Sequence, residues 1–211
     1  MPKHDASTTN SSPYLYPWTP SYWKAAIQQT KDFKVMVTVA MLIALNVVLT
    51  IFVDIPIPLG DNIRIRFDFL AEIVFCMIGG PIIGVAGGMA GDLVSYLCHP
   101  TGPFFPGYTL SAMIACLIYS LFFFRSRITI VKIAICKLLI NMLVNVLLGS
   151  VWSMIIGKYG YLFYLGKSVI KNSIMLPIEI VLMILVLGLL IPIISRFGLI
   201  PKPSKKVISV I

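Results

Sequence analysis

Ionisable side chains interrupt the most glycine-rich apolar part of the chain. Arg64, Arg66 and Asp68 stand at its start, and Asp92 lies in its apolar middle. A charged group inside a membrane-spanning segment is energetically costly, so these residues indicate a functional site. Asp68 and Glu72 are one helical turn apart and share a face. Their carboxylates could accept paired N–H donors from a heterocycle or neutralise nearby cations in structural ion pairs, and both interpretations remain open.

A rigid aromatic loop follows, with the sequence HPTGPFFPGY at 99–108. Its prolines fix φ and its glycines permit tight turns. Phe104, Phe105 and Tyr108 are therefore expected to be held as faces on which a flat ring can stack. The alternative is a rigid cap without a ligand, which the aromatic density disfavours. The candidate binding residues in the loop are His99, Pro100, Thr101, Gly102, Phe104, Phe105, Pro106, Gly107 and Tyr108.

Two further polar groupings carry chemistry. Arg64 and Arg66 follow a stiff Ile-Pro-Ile-Pro stretch, and guanidinium groups bind carboxylates bidentately, so the pair could hold an anionic ligand or form a solvated loop edge. Lys137, Asn141 and Asn145 recur every four residues and form one polar stripe, which must face the protein interior or a cavity. Its alternative role is hydrogen bonding between helices, including an ion pair of Lys137 with Glu179.

The composition is that of a polytopic membrane protein. Of the 211 residues, 58% are hydrophobic and only 12% are charged, whereas soluble domains carry about 25% charged residues. Apolar length and breakers predict an all-α bundle of six transmembrane helices. The spans lie at roughly 35–53, 67–79, 81–98, 109–125, 129–157 and 169–197. Gly79-Gly80-Pro81 predicts a tight hairpin between the second and third spans, with its turn near a membrane face.

The N-terminal 34 residues form a leader, with no apolar stretch typical of a cleavable signal peptide. Thr19-Pro20 is a plausible helix start, and the aromatic, lysine-containing sequence after it predicts a short helix at the membrane interface. We divide the chain into this leader (1–34), a six-helix membrane domain (35–200) and a short tail (201–211).

Lysine and arginine flank the spans unevenly. With the N-terminus inside, eleven cations lie on the inner side and five (Arg64, Arg66, Lys158, Lys167 and Lys171) on the outer side. The positive-inside rule therefore predicts that both termini are cytoplasmic. It also places the arginine loop, the loop at 99–108 and a loop at 158–171 on one outer face. The net charge of +9 is explained by this bias, because no basic run interleaved with aromatics suggests nucleic-acid binding.

Several functions are excluded by spacing. The sequence Gly160-Tyr-Leu-Phe-Tyr-Leu-Gly166-Lys167-Ser168 resembles a phosphate-binding loop, but its spacer is five residues rather than four and no buried strand precedes it. We therefore expect no ATP binding by this chain. His99 alone does not complete a metal site with the carboxylates. The four cysteines are far apart in or beside apolar runs, which predicts buried free thiols.

At this point the sequence resembles a known family. The segments RFDFL, GGPIIGVAGGMAGDLVSYLCHPTGPFFPGYTL, NMLVNVLLGSVWSMIIGKYGYLF and IKNSIMLPIEIVL are similar to the folate-binding S components of energy-coupling factor (ECF) vitamin transporters. The likeness runs from about residue 35 to 200 and is most specific at 100–110. Ala40 and Ala44, four apart in the first span, match the small-residue signature by which S components dock on the transmembrane coupling subunit.

The resemblance implies a non-enzymatic bacterial plasma-membrane subunit that binds folate from outside. It implies association with a coupling subunit and two ABC-type ATPases, and reorientation in the membrane to release the substrate. The pterin ring would stack on Phe104, Phe105 or Trp152 and pair with Asp68, Asp92 or Asn145, while the glutamate tail would meet Arg64, Arg66 or Lys171. We expect no cofactor on this chain. The alternatives are an S component for another heterocycle, such as a queuosine precursor or pantothenate, and an ion-coupled secondary transporter using Asp92, Glu179 and Lys137.

Overall fold

The fold is an all-α membrane bundle with one short β-hairpin. The computed structural model describes residues 14–57, 63–100 and 104–201. The elements, in chain order, are α1 (Pro20–Gln29), α2 (Phe33–Phe52), β1 (Asp54–Ile57), β2 (Ile63–Arg66), α3 (Phe69–Cys98), α4 (Pro106–Phe123), α5 (Ile130–Leu139), a π-helical segment (Ile140–Leu148), α6 (Gly149–Ile156) and α7 (Tyr161–Arg196).

Five helices among the described residues are long and apolar enough to cross a membrane. They are α2, α3, α4, α7 and the continuous run of α5, the π segment and α6. Each is predominantly apolar, as expected of helices that contact both lipid and the protein interior. The chain is therefore a multi-pass membrane protein, as its composition predicted.

Helix α3 is a hairpin that supplies two of the six predicted spans. Gly80 has φ 75° and ψ −174°, a conformation that breaks the helix and suits only glycine. A Cβ built on Gly84 would lie 3.3 Å from Cys76 Sγ, and one on Gly87 would lie 3.1 Å from the Phe75 ring. In a straight helix residues eight apart are separated by about 12 Å. The arms 69–79 and 81–98 therefore pack against each other, which confirms the hairpin predicted at Gly79-Gly80-Pro81.

Helix α1 packs against the turn of this hairpin. Tyr22 is fully buried, its hydroxyl donates to the carbonyl oxygen of Ser120 over 2.9 Å, and its ring meets Phe124 edge-on at 5.3 Å. The Phe124 ring in turn lies 3.0 Å from the Cβ position of Gly80. Burial raises the pKa of Tyr22 well above its usual range, so the hydroxyl remains a neutral donor. The helix start predicted at Thr19-Pro20 is correct, because Thr19 is the N-cap and Pro20 the first helical residue.

The last predicted loop is wrong in length. Helix α7 begins at Tyr161, so the connection before it covers only 157–160, and Lys167 and Lys171 lie on the helix. Leu162, Phe163 and Leu165 continue the apolar pattern, and Gly166 alone costs a helix only about 1 kcal/mol. With 36 residues, α7 is about 54 Å long, against a hydrocarbon core of about 30 Å.

The β-hairpin was not predicted. Strands β1 and β2 are antiparallel, with Asp54 opposite Arg66 and Pro56 opposite Arg64. Proline is tolerated there because a two-stranded sheet consists of edge strands. The β-hairpin connects α2 to α3, so Arg66, the last residue of β2, lies close to the start of α3. Three residues of the stiff Ile-Pro-Ile-Pro stretch, Ile55 to Ile57, are thus paired backbone, and Pro58 lies outside the described residues.

Candidate binding site

A cavity of about 660 Å³ opens among α2, both arms of α3, α4 and the π segment. Ligand pockets for small molecules occupy about 300 to 1,000 Å³. The wall combines carboxylates, amides, hydroxyls and aromatic rings. Its lining residues are Asn46, Thr50, Ile51, Arg66, Asp68, Glu72, Phe75, Gly88, Asp92, Ser95, Tyr96, His99, Phe104, Phe105, Tyr108, Ser111, Ala112, Ala115, Asn145 and Ile156.

The α3 hairpin supplies two facing stripes of this wall. On its first arm Asp68, Glu72 and Phe75 line the cavity, and on its second arm Gly88, Asp92, Ser95, Tyr96 and His99 do so. Apart from the adjacent Ser95 and Tyr96, successive members of each stripe are three or four residues apart, the spacing that places side chains on one helix face. Because the arms run antiparallel, the turn at Gly80 brings carboxylates from both to the same end of the bundle.

Aromatic side chains form the opposite wall. Phe104 and Tyr96 have ring centroids 5.2 Å apart, and Phe105 packs against Trp152 at 5.5 Å. Behind them the Trp152 indole N–H donates to Ser111 Oγ over 2.9 Å, which fixes the ring. Gly107 makes this packing possible, since a Cβ there would lie 2.7 Å from Trp152 Cδ2 and closer still to Phe105. The wall is therefore held in place by contacts within the protein.

Each carboxylate of the cavity has a partner within the protein. Asp92 Oδ2 accepts from the Thr109 hydroxyl over 2.7 Å, and Asp68 pairs with Arg66 at 2.5 Å. Glu72 Oε1 accepts from the Cys116 thiol over 3.0 Å. The structural ion pair predicted for Asp68 is thus present, whereas Asp92 and Glu72 are bonded to neutral donors. A ligand N–H would complete the remaining acceptor capacity of these oxygens.

A polar ladder leads from the cavity into the bundle core. It consists of Asn145, Asn141, Glu179 and Lys137. Asn145 Nδ2 donates to Asn141 Oδ1 over 2.9 Å, and Asn141 Nδ2 donates to Glu179 Oε2 over 2.8 Å. Lys137 Nζ lies 3.4 Å from Glu179 Oε1 and 4.0 Å from the centroid of the Phe69 ring. The interhelical pair of Lys137 with Glu179 is confirmed, and the stripe serves both the core and the cavity.

Comparison with known proteins identifies the family. Residues 30–196 match the family model described as "ECF-type riboflavin transporter, S component". The chain belongs to the S components of ECF-type transporters. S components of this kind are non-catalytic transporter subunits, so the predicted family and the non-enzymatic class are confirmed.

The relatives of this S component are named as folate transporters rather than riboflavin transporters. It is 32% identical to the folate transporter FolT of Clostridium novyi over 71% of its length and 85% of the relative's. It is 28% identical to the folate transporter FolT of Leuconostoc mesenteroides over 71% of its length and 82% of the relative's. A crystal structure of FolT bound with folic acid superimposes with a TM-score of 0.62 at 29% identity, covering 71% of this chain and 88% of that one.

Half of the predicted binding residues line the cavity of this S component. They are Arg66, Asp68, Asp92, His99, Phe104, Phe105, Tyr108 and Asn145. Trp152 and Gly107 support the aromatic wall from behind, and Pro106 opens α4 as its first residue. Pro106, Gly107 and Tyr108 are therefore helical rather than part of the loop, because proline is well suited to the first position of a helix.

The other predicted residues lie elsewhere. Lys171 is on α7 and Pro100 is exposed, and neither is among the lining residues. Only the backbone of Arg64 is described, and Thr101 and Gly102 lie outside the described residues. Ala40 and Ala44 are exposed on α2, as a docking face requires. Within the described ranges no three His, Cys, Asp or Glu side chains are grouped to hold a metal ion.

Sequence reasoning missed several lining residues that helical spacing could have found. Ser95 and Tyr96 follow Asp92 by three and four residues, and Phe75 follows Glu72 by three. Extending the stripe from each acid would have added them. Asn46, Thr50 and Ser111 had no such signal, because their helices were read as lipid-facing or packing spans.

Proposed function

We propose that this S component binds folate in the cavity between the α3 hairpin, α4 and the π segment. The observation that carries the proposal is the cavity's combination of a packed aromatic wall with an array of acceptor groups. A pterin is a flat ring with several N–H donors, so Phe104, Phe105 and Tyr108 offer it faces, and Asp92 and Asn145 offer it acceptors. The names of the relatives and the folic acid in the matched structure support the same ligand.

The charge of the cavity determines the orientation of folate in this proposal. Among the residues whose side chains the structure describes, three carboxylates line the cavity, together with the guanidinium of Arg66 and the imidazole of His99. The carboxylates of a glutamate tail would be repelled from the interior, so the pterin enters first. The tail remains at the mouth, where Arg66 stands, and Arg64 and Lys171 add positive charge to this side of the protein.

The rest of the transport cycle depends on partners. In this proposal the cavity faces the outside of a bacterial plasma membrane, both termini are cytoplasmic, and the leader 1–34 and tail 201–211 flank the substrate-binding domain 35–200. Ala40 and Ala44 dock on a transmembrane coupling subunit, because small residues allow close helix approach. Two ABC-type ATPases supply the energy, and the S component reorients to release folate inside.

Titration calorimetry of the detergent-purified protein with folic acid tests the ligand. We expect saturable binding of one molecule per chain, and loss of at least about 1.4 kcal/mol of binding free energy, or tenfold in Kd, in Asp92→Asn. Met41→Leu, at an exposed position of α2 that does not line the cavity, is the matched control and should bind as the unaltered protein does. Absence of saturable binding would refute the proposal.

Riboflavin is a second candidate, because the matched family model carries that name. Riboflavin is also a flat heterocycle with an N–H edge, but its ribityl tail is neutral, so the cations at the mouth would gain nothing from it. Competition between the two vitamins at equal concentrations separates them. Folic acid should displace riboflavin, and the reverse result would assign the site to riboflavin.

A further inference from the structure

The hydrogen bonds of the polar ladder run in one direction, which the donor Lys137 and the acceptor Glu179 fix at the core end. Lys137 can only donate hydrogen bonds, and an ionised Glu179 can only accept them. Glu179 Oε2 receives the Asn141 amide N–H at 2.8 Å, so the Asn141 side chain must present its nitrogen to Glu179. Its oxygen is consequently turned the other way, toward Asn145.

The same reasoning sets the amide of Asn145. Asn141 Oδ1 accepts from Asn145 Nδ2 at 2.9 Å, so the nitrogen of Asn145 faces the core. Asn145 is the one ladder residue among those lining the cavity. Its Oδ1 is therefore turned away from Asn141, and it is the acceptor that this residue offers the cavity.

Burial makes this arrangement rigid. Lys137 is 2% exposed and Asn141 is fully buried. A buried amide or cation that lost its partner would pay the full cost of desolvation, so reversing any one rung is penalised. Asn141 and Asn145 both lie in the π segment Ile140–Leu148, and departures of this kind from regular helix are frequent at functional sites.

We propose that Lys137, Glu179 and Asn141 are positioning residues that hold the Asn145 carbonyl oxygen toward the cavity, so that the site selects a ligand presenting an N–H donor there. None of the three lines the cavity, so each acts through Asn145. The inference rests on the proposed function and adds to it a determinant of specificity: the donor edge of the heterocycle is recognised by an amide whose direction is set by the ion pair behind it.

Moving the carboxylate from position 179 to position 145 tests this proposal. In Glu179→Gln the acceptor end is lost, Lys137 is left without its counter-ion and Asn145 is free to turn its nitrogen outward. In Asn145→Asp the new carboxylate faces Asn141 Oδ1, and the two acceptors repel.

The double variant Asn145→Asp/Glu179→Gln restores the net charge and allows both amide hydrogen bonds to reverse, while Lys137 donates to the carbonyl oxygen of the introduced glutamine. The introduced glutamine amide on α7 donates to Asn141 Oδ1, and the Asn141 amide nitrogen then donates to the introduced carboxylate in the π segment. That carboxylate has a second oxygen, so position 145 still offers an acceptor to the cavity.

The expected result is rescue in the double variant. Each single substitution should raise the Kd for folic acid about tenfold or more, as expected for one lost hydrogen bond to a charged or buried group. The double variant should bind within about threefold of the unaltered protein. A double variant that binds no better than the weaker single variant would overturn the proposal.

The matched control places the new acid away from the ladder. Asn172 is buried on α7 and donates to the Ser168 carbonyl oxygen over 2.8 Å, and it is not a lining residue. Asn172→Asp/Glu179→Gln has the same net charge as the exchange but cannot rebuild the ladder, so it should show no rescue. Rescue in this control would mean that net charge alone matters, which would also overturn the proposal.

A ligand-free measurement separates this inference from the identity of the ligand. The thermal unfolding midpoint in detergent, without any vitamin, should be higher for the double variant than for Glu179→Gln, because both lack the Lys137 ion pair but only the double variant rebuilds the amide hydrogen bonds. If the unaltered protein fails to bind folic acid, the proposed function fails, and the ladder is still judged by this order and by riboflavin affinity. If folic acid binds and the midpoints show no rescue, the ladder fails alone.

Discussion

Several side chains affect the cavity indirectly, by fixing the position of residues that line it. Trp152 and Gly107 do not line the cavity, yet they set the position of Phe105, which does. Likewise Thr109 lies behind Asp92 and donates to it over 2.7 Å. Affinity is therefore expected to depend on supporting residues as strongly as on those in contact with ligand.

Gly107 provides a direct test of the aromatic wall. Gly107→Ala would place a Cβ against Phe105 and 2.7 Å from Trp152 Cδ2, so both rings must shift. We expect the Kd for folic acid to rise about tenfold, since a misplaced wall loses about 1.4 kcal/mol of stacking and packing. Isothermal titration calorimetry with folic acid measures this change in Kd.

The control for this prediction is Gly166→Ala on α7, where a Cβ would meet nothing within 4 Å. That substitution should leave affinity unchanged and raise stability slightly, because alanine favours helix by up to about 1 kcal/mol over glycine. Equal affinity of the two variants would show that the aromatic wall is not part of the site.

Among the elements, the α3 hairpin is the one that creates the site. Without the turn at Gly80, Glu72 and Asp92 would be about 30 Å apart along one helix. With it, both line one cavity. Gly80 combines a positive φ of 75° with the Phe124 ring 3.0 Å from its Cβ position, so neither backbone nor space admits a side chain.

Gly80→Ala is accordingly expected to destabilise the fold. The strained φ costs about 1 to 3 kcal/mol, and displacement of Phe124 would loosen α1 as well, since Tyr22 packs on the same ring. The thermal unfolding midpoint in detergent should fall by several degrees. Gly149→Ala, at a helical glycine whose nearest neighbour would be 3.6 Å away, should leave the midpoint nearly unchanged. A Gly80→Ala protein as stable as this control would contradict the hairpin geometry.

The elements also show how far sequence reasoning reaches. Six spans and the turn at Gly79-Gly80-Pro81 could be predicted because apolar length and breaker residues are local signals. The early start of α7 at Tyr161 could not be predicted, because Gly166 and the nearby lysines are typical of a loop. Packing in the folded protein overrides their weak preference against helix. Asp92 and the Phe104–Phe105 pair could be predicted as site residues from their residue types. Asn46 and Ser111 line the cavity because of how the helices pack, which the sequence does not reveal.

Helix α2 is expected to carry the partner contact. Ala40 and Ala44 are exposed on it, and Leu at either position would prevent close helix approach. We expect Ala40→Leu/Ala44→Leu to abolish co-purification with the coupling subunit and folate uptake by cells, while folic acid affinity in detergent stays within about twofold. Met41→Ala, between them on the helix, should retain uptake. Loss of binding together with uptake would assign the alanines to folding instead.

For the whole molecule, labelling of one exposed thiol tests the predicted orientation in the membrane. The prediction of buried free thiols is wrong for Cys98, which is exposed next to the cavity-lining His99, and is confirmed for the other three cysteines. In intact cells a membrane-impermeant maleimide should label the protein, and Cys98→Ser should abolish labelling. Arg127→Cys in the Cys98→Ser background should react only after permeabilisation, because Arg127 lies between α4 and α5 at the opposite end of α4. The reverse pattern would place the cavity on the cytoplasmic side.

The central claim is that the α3 hairpin, α4 and the π segment hold folate between aromatic faces and acceptors. An experimental structure of the purified protein with folic acid tests it most directly. The account predicts the pterin beside Phe104, Phe105 and Tyr108, with ring N–H groups within about 3 Å of an Asp92 oxygen and of Asn145 Oδ1. Folic acid bound elsewhere, or a pterin presenting an acceptor to Asn145, would contradict it.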